Sequence, residues 1–103
     1  MAVYEIPLRP GTPQRMSIPL AGVTYTLQTK FLDAPDGGWV IDIDDVNGNA
    51  LAHGLPLITG ADLVEQYPDI GFGFELWVRT DYYPSAVPSW NSLGNTSHLY
   101  AVW

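Results

Sequence analysis

From Val23 to Ile43, hydrophobic and polar residues alternate as they do in a hairpin laid on a core. Val23, Tyr25, Leu27, Thr29 and Phe31 share one parity, and Thr24, Thr26, Gln28 and Lys30 share the other. The run from Asp33 to Gly38 breaks the pattern with turn-forming residues, after which Trp39, Ile41 and Ile43 stand opposite Asp42 and Asp44. Successive strand side chains point to opposite faces, so the pattern predicts a half-buried antiparallel pair with Asp42 and Asp44 on a wet face.

The flanking segments extend this reading. Val3–Leu8 and Gln14–Leu20 read as strands, and Pro7 and Pro19, which cannot donate to a ladder, assign both to sheet edges. Ala21-Gly22 turns the chain into the central hairpin. Asn47-Gly48 predicts a type I′ turn joining Trp39–Val46 to Ala50–Leu57, with Gly54 and Pro56 marking the second strand as irregular or bulged. Thr59–Tyr67 is the helical candidate: Thr59 as N-cap, Asp62 as its capping partner, Leu63, Val64 and Tyr67 on one face, and Pro68 as the stop. Ile70–Thr80 predicts a long strand with Phe72, Phe74, Leu76 and Val78 inward and Trp77 and Arg79 outward. A connection rich in proline, serine and tyrosine then leads to a closing strand, Ser97–Trp103. The expected fold is all-β: a compact antiparallel β-sandwich or partly open barrel of six to seven strands with one short helix. With 103 residues, the chain reads as a single β domain over 1–103.

Composition adds a functional constraint. Only 15% of residues are charged, where about a quarter is typical. Four Trp, six Tyr and three Phe therefore share a small domain with few charges, and the aromatic surplus points to protein–protein contact. The net charge of −7, with Arg9, Arg15, Lys30 and Arg79 the only Lys or Arg residues, argues against stable nucleic-acid binding and against anionic membrane surfaces. The absence of cysteine excludes disulfides, thiolate metal sites and cysteine nucleophiles. No basic-then-apolar leader opens the chain and no apolar run approaches the ~20 residues of a membrane span, so a soluble protein is expected.

Reactive motifs are missing. Asp42, Asp44 and Asp45, with Asn47 and Asn49, invite comparison with a calcium loop. Counting from Gly48, however, places Ile43 at the first ligand position and Gly54 at the twelfth. His53 and His98 have no ligand spacing, the serines lie in no nucleophile elbow, and Gly71-Phe72-Gly73 lacks the third glycine of a dinucleotide fingerprint. No catalytic, cofactor-binding or metal-ligating residue is assigned, and no cofactor or enzymatic activity is expected. The candidates are instead interface residues: Tyr82, Tyr83 and Trp90 in the proline-stiffened connection, with Trp77 and Trp103 beside them. Tyr and Trp offer large contact area at low rotamer cost. The competing role for Trp90 is a lid folded back across the end of the sheets.

Tyr4–Leu8, Gly11–Arg15, Leu20–Tyr25, Gly38–Asp42, Gly54–Leu63 and Thr96–Tyr100, in that order and spacing, resemble the baseplate plug proteins of contractile-tailed phages of the cyanophage type. The resemblance covers nearly the whole chain. It implies a structural virion protein of the tail baseplate, assembled in the host cytoplasm, that helps close the distal end of the tail tube. It also implies symmetric copies of itself, the baseplate hub, the tail tube and the tape-measure protein as partners. The family offers no catalytic residues to carry over. The alternative reading is a small carbohydrate- or peptide-binding β module with an aromatic platform; a third, a hydrolase using Glu5, Glu65 and Glu75, lacks any supporting spacing.

Overall fold

The computed structural model describes residues 2–32 and 38–103. The turn expected at 33–37 lies outside the described residues. Seven strands form: β1 (Val3–Glu5), β2 (Arg15–Leu20), β3 (Val23–Leu32), β4 (Gly38–Asp45), β5 (Ala50–Pro56), β6 (Glu75–Thr80) and β7 (Ser97–Val102). All named pairings are antiparallel. They build a four-stranded sheet in the order β2-β3-β4-β5 and a three-stranded sheet in the order β1-β7-β6. β1, followed by Pro7, β2, carrying Pro19, and β5, ending at Pro56, are all edges, where a missing donor is tolerated.

Turn chemistry sets the registers. Leu20 pairs with Val23 across Ala21 and Gly22, both with positive φ (53° and 84°), the geometry that matches the twist of a two-residue hairpin. The β4–β5 turn differs from the expected type I′. Asn47 keeps negative φ, Gly48 alone is left-handed at 85°, and the Gly48 amide donates to the Asp45 carbonyl at 3.0 Å. Asp45 explains the change: its Oδ1 accepts the amides of Asn47 and Asn49 at 2.9 and 2.8 Å, which favours a longer loop with a left-handed glycine. The expected irregularity in β5 is present as a bulge. Ile41 pairs with Leu55 and Ile43 with Ala52, so His53 and Gly54 together oppose Asp42, and both Ala52 and Leu55 face inward.

Two further expectations are corrected here. No helix forms at Thr59–Tyr67 or elsewhere among the described residues. Thr59 instead bridges to Val78, and its hydroxyl donates to the Ser85 carbonyl at 2.8 Å. The Leu63 amide donates to the Leu76 carbonyl, while Asp62 Oδ1 accepts the Val64 and Leu76 amides. Backbone groups committed to β6 cannot enter a helical ladder, and only isolated turns remain. The strand expected over Ile70–Thr80 begins at Glu75, because Gly71 and Gly73 take positive φ (67° and 75°). Phe72 and Phe74 still point inward, and Tyr25 donates to the Phe72 carbonyl at 3.1 Å.

The two sheets contribute to one buried cluster. Ile18, Leu20, Tyr25, Leu27, Trp39, Ile41 and Ile43 come from the larger sheet, and Leu76, Val78, Leu99 and Ala101 from the smaller. The segment after β5 links the sheet edges: the Leu57 amide donates to the Trp39 carbonyl, and two residues later Thr59 bridges to β6. The expected wet face of the hairpin is only partly wet, since Thr26, Val40 and Asp42 are buried there.

Candidate functional site

The outward parity of β1, β7 and β6 assembles an aromatic and aliphatic surface. Register places Trp77 beside Tyr100 and Tyr100 beside Glu5; Glu75 lies beside Val102, and Val102 beside Val3. Arg79 pairs with His98 one step along. Of these side chains, Val3, Trp77, Arg79, Tyr100 and Val102 line a cleft of about 590 Å³. Its wall is the chain at Gly60, Pro84 and Ser85. The wall is held from below: Thr59 donates to the Ser85 carbonyl, and Thr80 Oγ1 donates to the Ala86 carbonyl at 2.7 Å. Thr80 and Ser97, both buried, share a further hydroxyl contact at 2.7 Å, which satisfies their polar atoms beneath the connection.

Charge around this cleft is mostly negative. His98 Nε2 contacts Asp81 Oδ2 at 3.1 Å, and Nδ1 lies 3.3 Å from Glu5 Oε2 without a hydrogen bond. The indole N–H of Trp77 donates to Glu75 Oε1 at 2.9 Å. Burial raises the Tyr100 phenol above its ordinary pKa, the carboxylates of Glu5 and Asp81 raise it further, and Arg79 opposes them.

The five candidate interface residues occupy different places. Trp77 lies in the cleft. Tyr82, at φ 66°, and Tyr83 extend from the connection, 90% and 74% exposed. Trp90 is at the other end: its ring stacks on buried Trp39 at 5.3 Å and 4°, and meets Phe31 edge-on at 5.0 Å. The Trp39 indole N–H donates to the Ser89 carbonyl at 2.9 Å, so the connection is fastened there while Trp90 keeps 39% of its surface exposed. Trp103 follows β7, and its backbone exchanges hydrogen bonds with Ala2. Sequence reasoning missed Tyr100, Val102 and Val3. Their alternation in β7 and β1 was visible, but the register that brings them beside Trp77 joins segments far apart in the chain.

The acidic run on β4 is consumed internally. Asp42, placed on the solvent face by the sequence pattern, is 4% exposed. Its carboxylate accepts the Gly54 amide at 2.7 Å and pairs with Lys30 Nζ at 2.6 Å. The bulge explains this burial, because it turns the Gly54 amide onto the carboxylate. Burial alone would raise the Asp42 pKa, but the Lys30 and Gly54 hydrogen bonds and the charges of His53 and Lys30 outweigh it and hold the pKa below the ordinary value. Asp44 pairs with His53 at 2.5 Å, and Asp45 caps the turn. Among the described residues no group of three or more His, Cys, Asp or Glu side chains is placed to hold a metal ion, and no helix is long and apolar enough to cross a membrane.

Comparison with known proteins gives one result. The family described as cyanophage baseplate Pam3 plug gp18 matches residues 3–103. No curated protein and no solved structure gives a match.

Proposed function

The chain belongs to the cyanophage baseplate plug family, and on that footing we propose that it closes the distal end of a contractile tail tube and docks to hub and tube proteins. Membership implies a place in the virion tail baseplate and association with other baseplate components. The match over residues 3–103 is the observation that carries the reading. The surface supports it: sparse charge, a cleft floored by Trp77 and Tyr100, and exposed Tyr82, Tyr83 and Trp90 suit a subunit held by permanent contacts. In this role the 1–103 chain acts as one β domain that works by fit and not by turnover, with its two sheets packed as a sandwich. Assembly in the host cytoplasm, symmetric copies, and contact with the tape-measure protein belong to the same proposal.

Tails purified from cells that make every tail protein except this chain are expected to lack density at the distal mouth of the tube and to regain it when the chain is supplied. Purified tails that contain none of the chain, or that carry it away from the tube axis, would overturn the reading.

A further inference from the structure

We propose that the outer face of the three-stranded sheet is a preformed groove for an extended, lysine- or arginine-rich segment of a protein partner, which seats one apolar side chain against Trp77, Tyr100 and Val102. The inference rests on the reading of the chain as a docking component, and it adds which surface docks and the chemistry of what it receives.

The groove is built before any partner arrives. Its floor stands on paired strands, and its wall is tied to β6 by the Thr59 and Thr80 hydroxyls. Little side-chain freedom is therefore lost on binding, the condition under which an aromatic floor contributes most. The lining is mostly apolar, with Arg79 its one charged side chain, and Val3 at the β1 margin is 66% exposed.

Charge selects the occupant. Glu5, Glu75 and Asp81 surround this face, with Arg79 the one Lys or Arg residue on it and His98 between Glu5 and Asp81. A second copy docked about a twofold axis would bring these carboxylates against their own counterparts, on a chain whose net charge is already −7. A basic segment meets complementary charge instead. Backbone geometry favours an extended one. Ala2 exchanges hydrogen bonds with Trp103, and the Ile6 amide donates to the Leu99 carbonyl, so antiparallel alternation turns the amides and carbonyls of Val3 and Glu5 away from β7. β1 is the terminal strand of its sheet and all three of its residues are exposed, which leaves a strand edge open beside the groove.

The test uses the full chain and two labelled probes, a short peptide alternating lysine and leucine and its glutamate–leucine counterpart, read by fluorescence polarisation. The lysine peptide is expected to bind, and to bind more weakly as salt rises. Trp77→Ala should weaken it about tenfold, as truncation of an aromatic anchor does. Val102→Lys should weaken it by charge, and Trp90→Ala should leave it unchanged. Circular dichroism checks each variant, so Val102→Lys carries the test if Trp77→Ala unfolds. Three outcomes overturn the proposal: no binding of the lysine peptide, equal binding of the glutamate peptide, or indifference to both groove variants. Sedimentation showing a dimer that Trp77→Ala dissociates also overturns it, assigning the groove to a second copy. A chain absent from purified tails sinks the baseplate reading whatever the peptides do. A chain present there whose peptide binding ignores the groove variants sinks only the groove.

Discussion

The outer faces of the two sheets are built from the same antiparallel alternation and finish differently. On β3, β4 and β5 of the larger sheet, Lys30 closes on Asp42, His53 on Asp44, and the Gly54 amide fills a carboxylate lone pair. On the smaller sheet, Val3, Trp77, Tyr100 and Val102 line an open cleft, while most of the carboxylates around it keep half their surface in solvent or lie at its margin. A face whose charges are paired has little left to offer a partner. An apolar floor bordered by Glu5, Glu75 and Asp81, with only Arg79 and His98 to set against them, gains both area and Coulomb energy when covered.

Three substitutions press on that contrast. The largest effect is expected from Gly94→Ala, in the connection that leads into β7. Gly94 has φ 85°, and a Cβ there would meet the Leu8 carbonyl oxygen at 2.6 Å. Strain and backbone clash together should cost about 3 kcal/mol, read as a lower denaturant midpoint, and should loosen the smaller sheet before the larger in hydrogen exchange.

Trp90→Ala removes the ring stacked on Trp39 and leaves the cleft alone. A loss of about 2 kcal/mol in chemical denaturation is expected, less than for a fully buried tryptophan because part of the ring is already in water. Any larger loss would make Trp90 a core residue; no loss would make it a free anchor.

Asp42→Asn tests the closed face and should cost about 1.5 kcal/mol near neutral pH by removing a charge-assisted pair. The folded pKa of Asp42 lies below its unfolded value, so the carboxylate stabilises the fold fully above the unfolded pKa of about 3.9. That contribution is lost as pH falls through the folded pKa. The gap between wild type and Asp42→Asn should therefore be constant from neutral pH down to about 5 and close in stronger acid. A gap that widened in acid would show that the pair does not govern this face.

Much of the molecule was legible as pattern. The bounds of β3, the inward set Trp39, Ile41 and Ile43, the edge position of the proline-marked strands and the irregularity of β5 follow from alternation and turn chemistry. The errors have different causes. Thr59–Tyr67 has helical spacing, yet its backbone answers to Val78 and Leu76 from elsewhere in the chain; Ile70–Phe74 has strand spacing, yet Gly71 and Gly73 take positive φ; and the β4–β5 turn is reshaped locally by the Asp45 carboxylate. Asp42 looked solvated because the sequence does not show that Lys30 and Gly54 converge on it.

Local physics, carried by period, proline and glycine, made this an all-β chain and told most inward side chains from outward ones, because a strand's side-chain parity depends only on its own residues. Which outward residues became neighbours was left to the pairing of β1 and β6 with β7. Trp77, Tyr100 and Val3 share a cleft only because segments from both ends of the chain lie in one sheet. Contacts of that span are selected by the common core the sheets bury, so no window of sequence contains them.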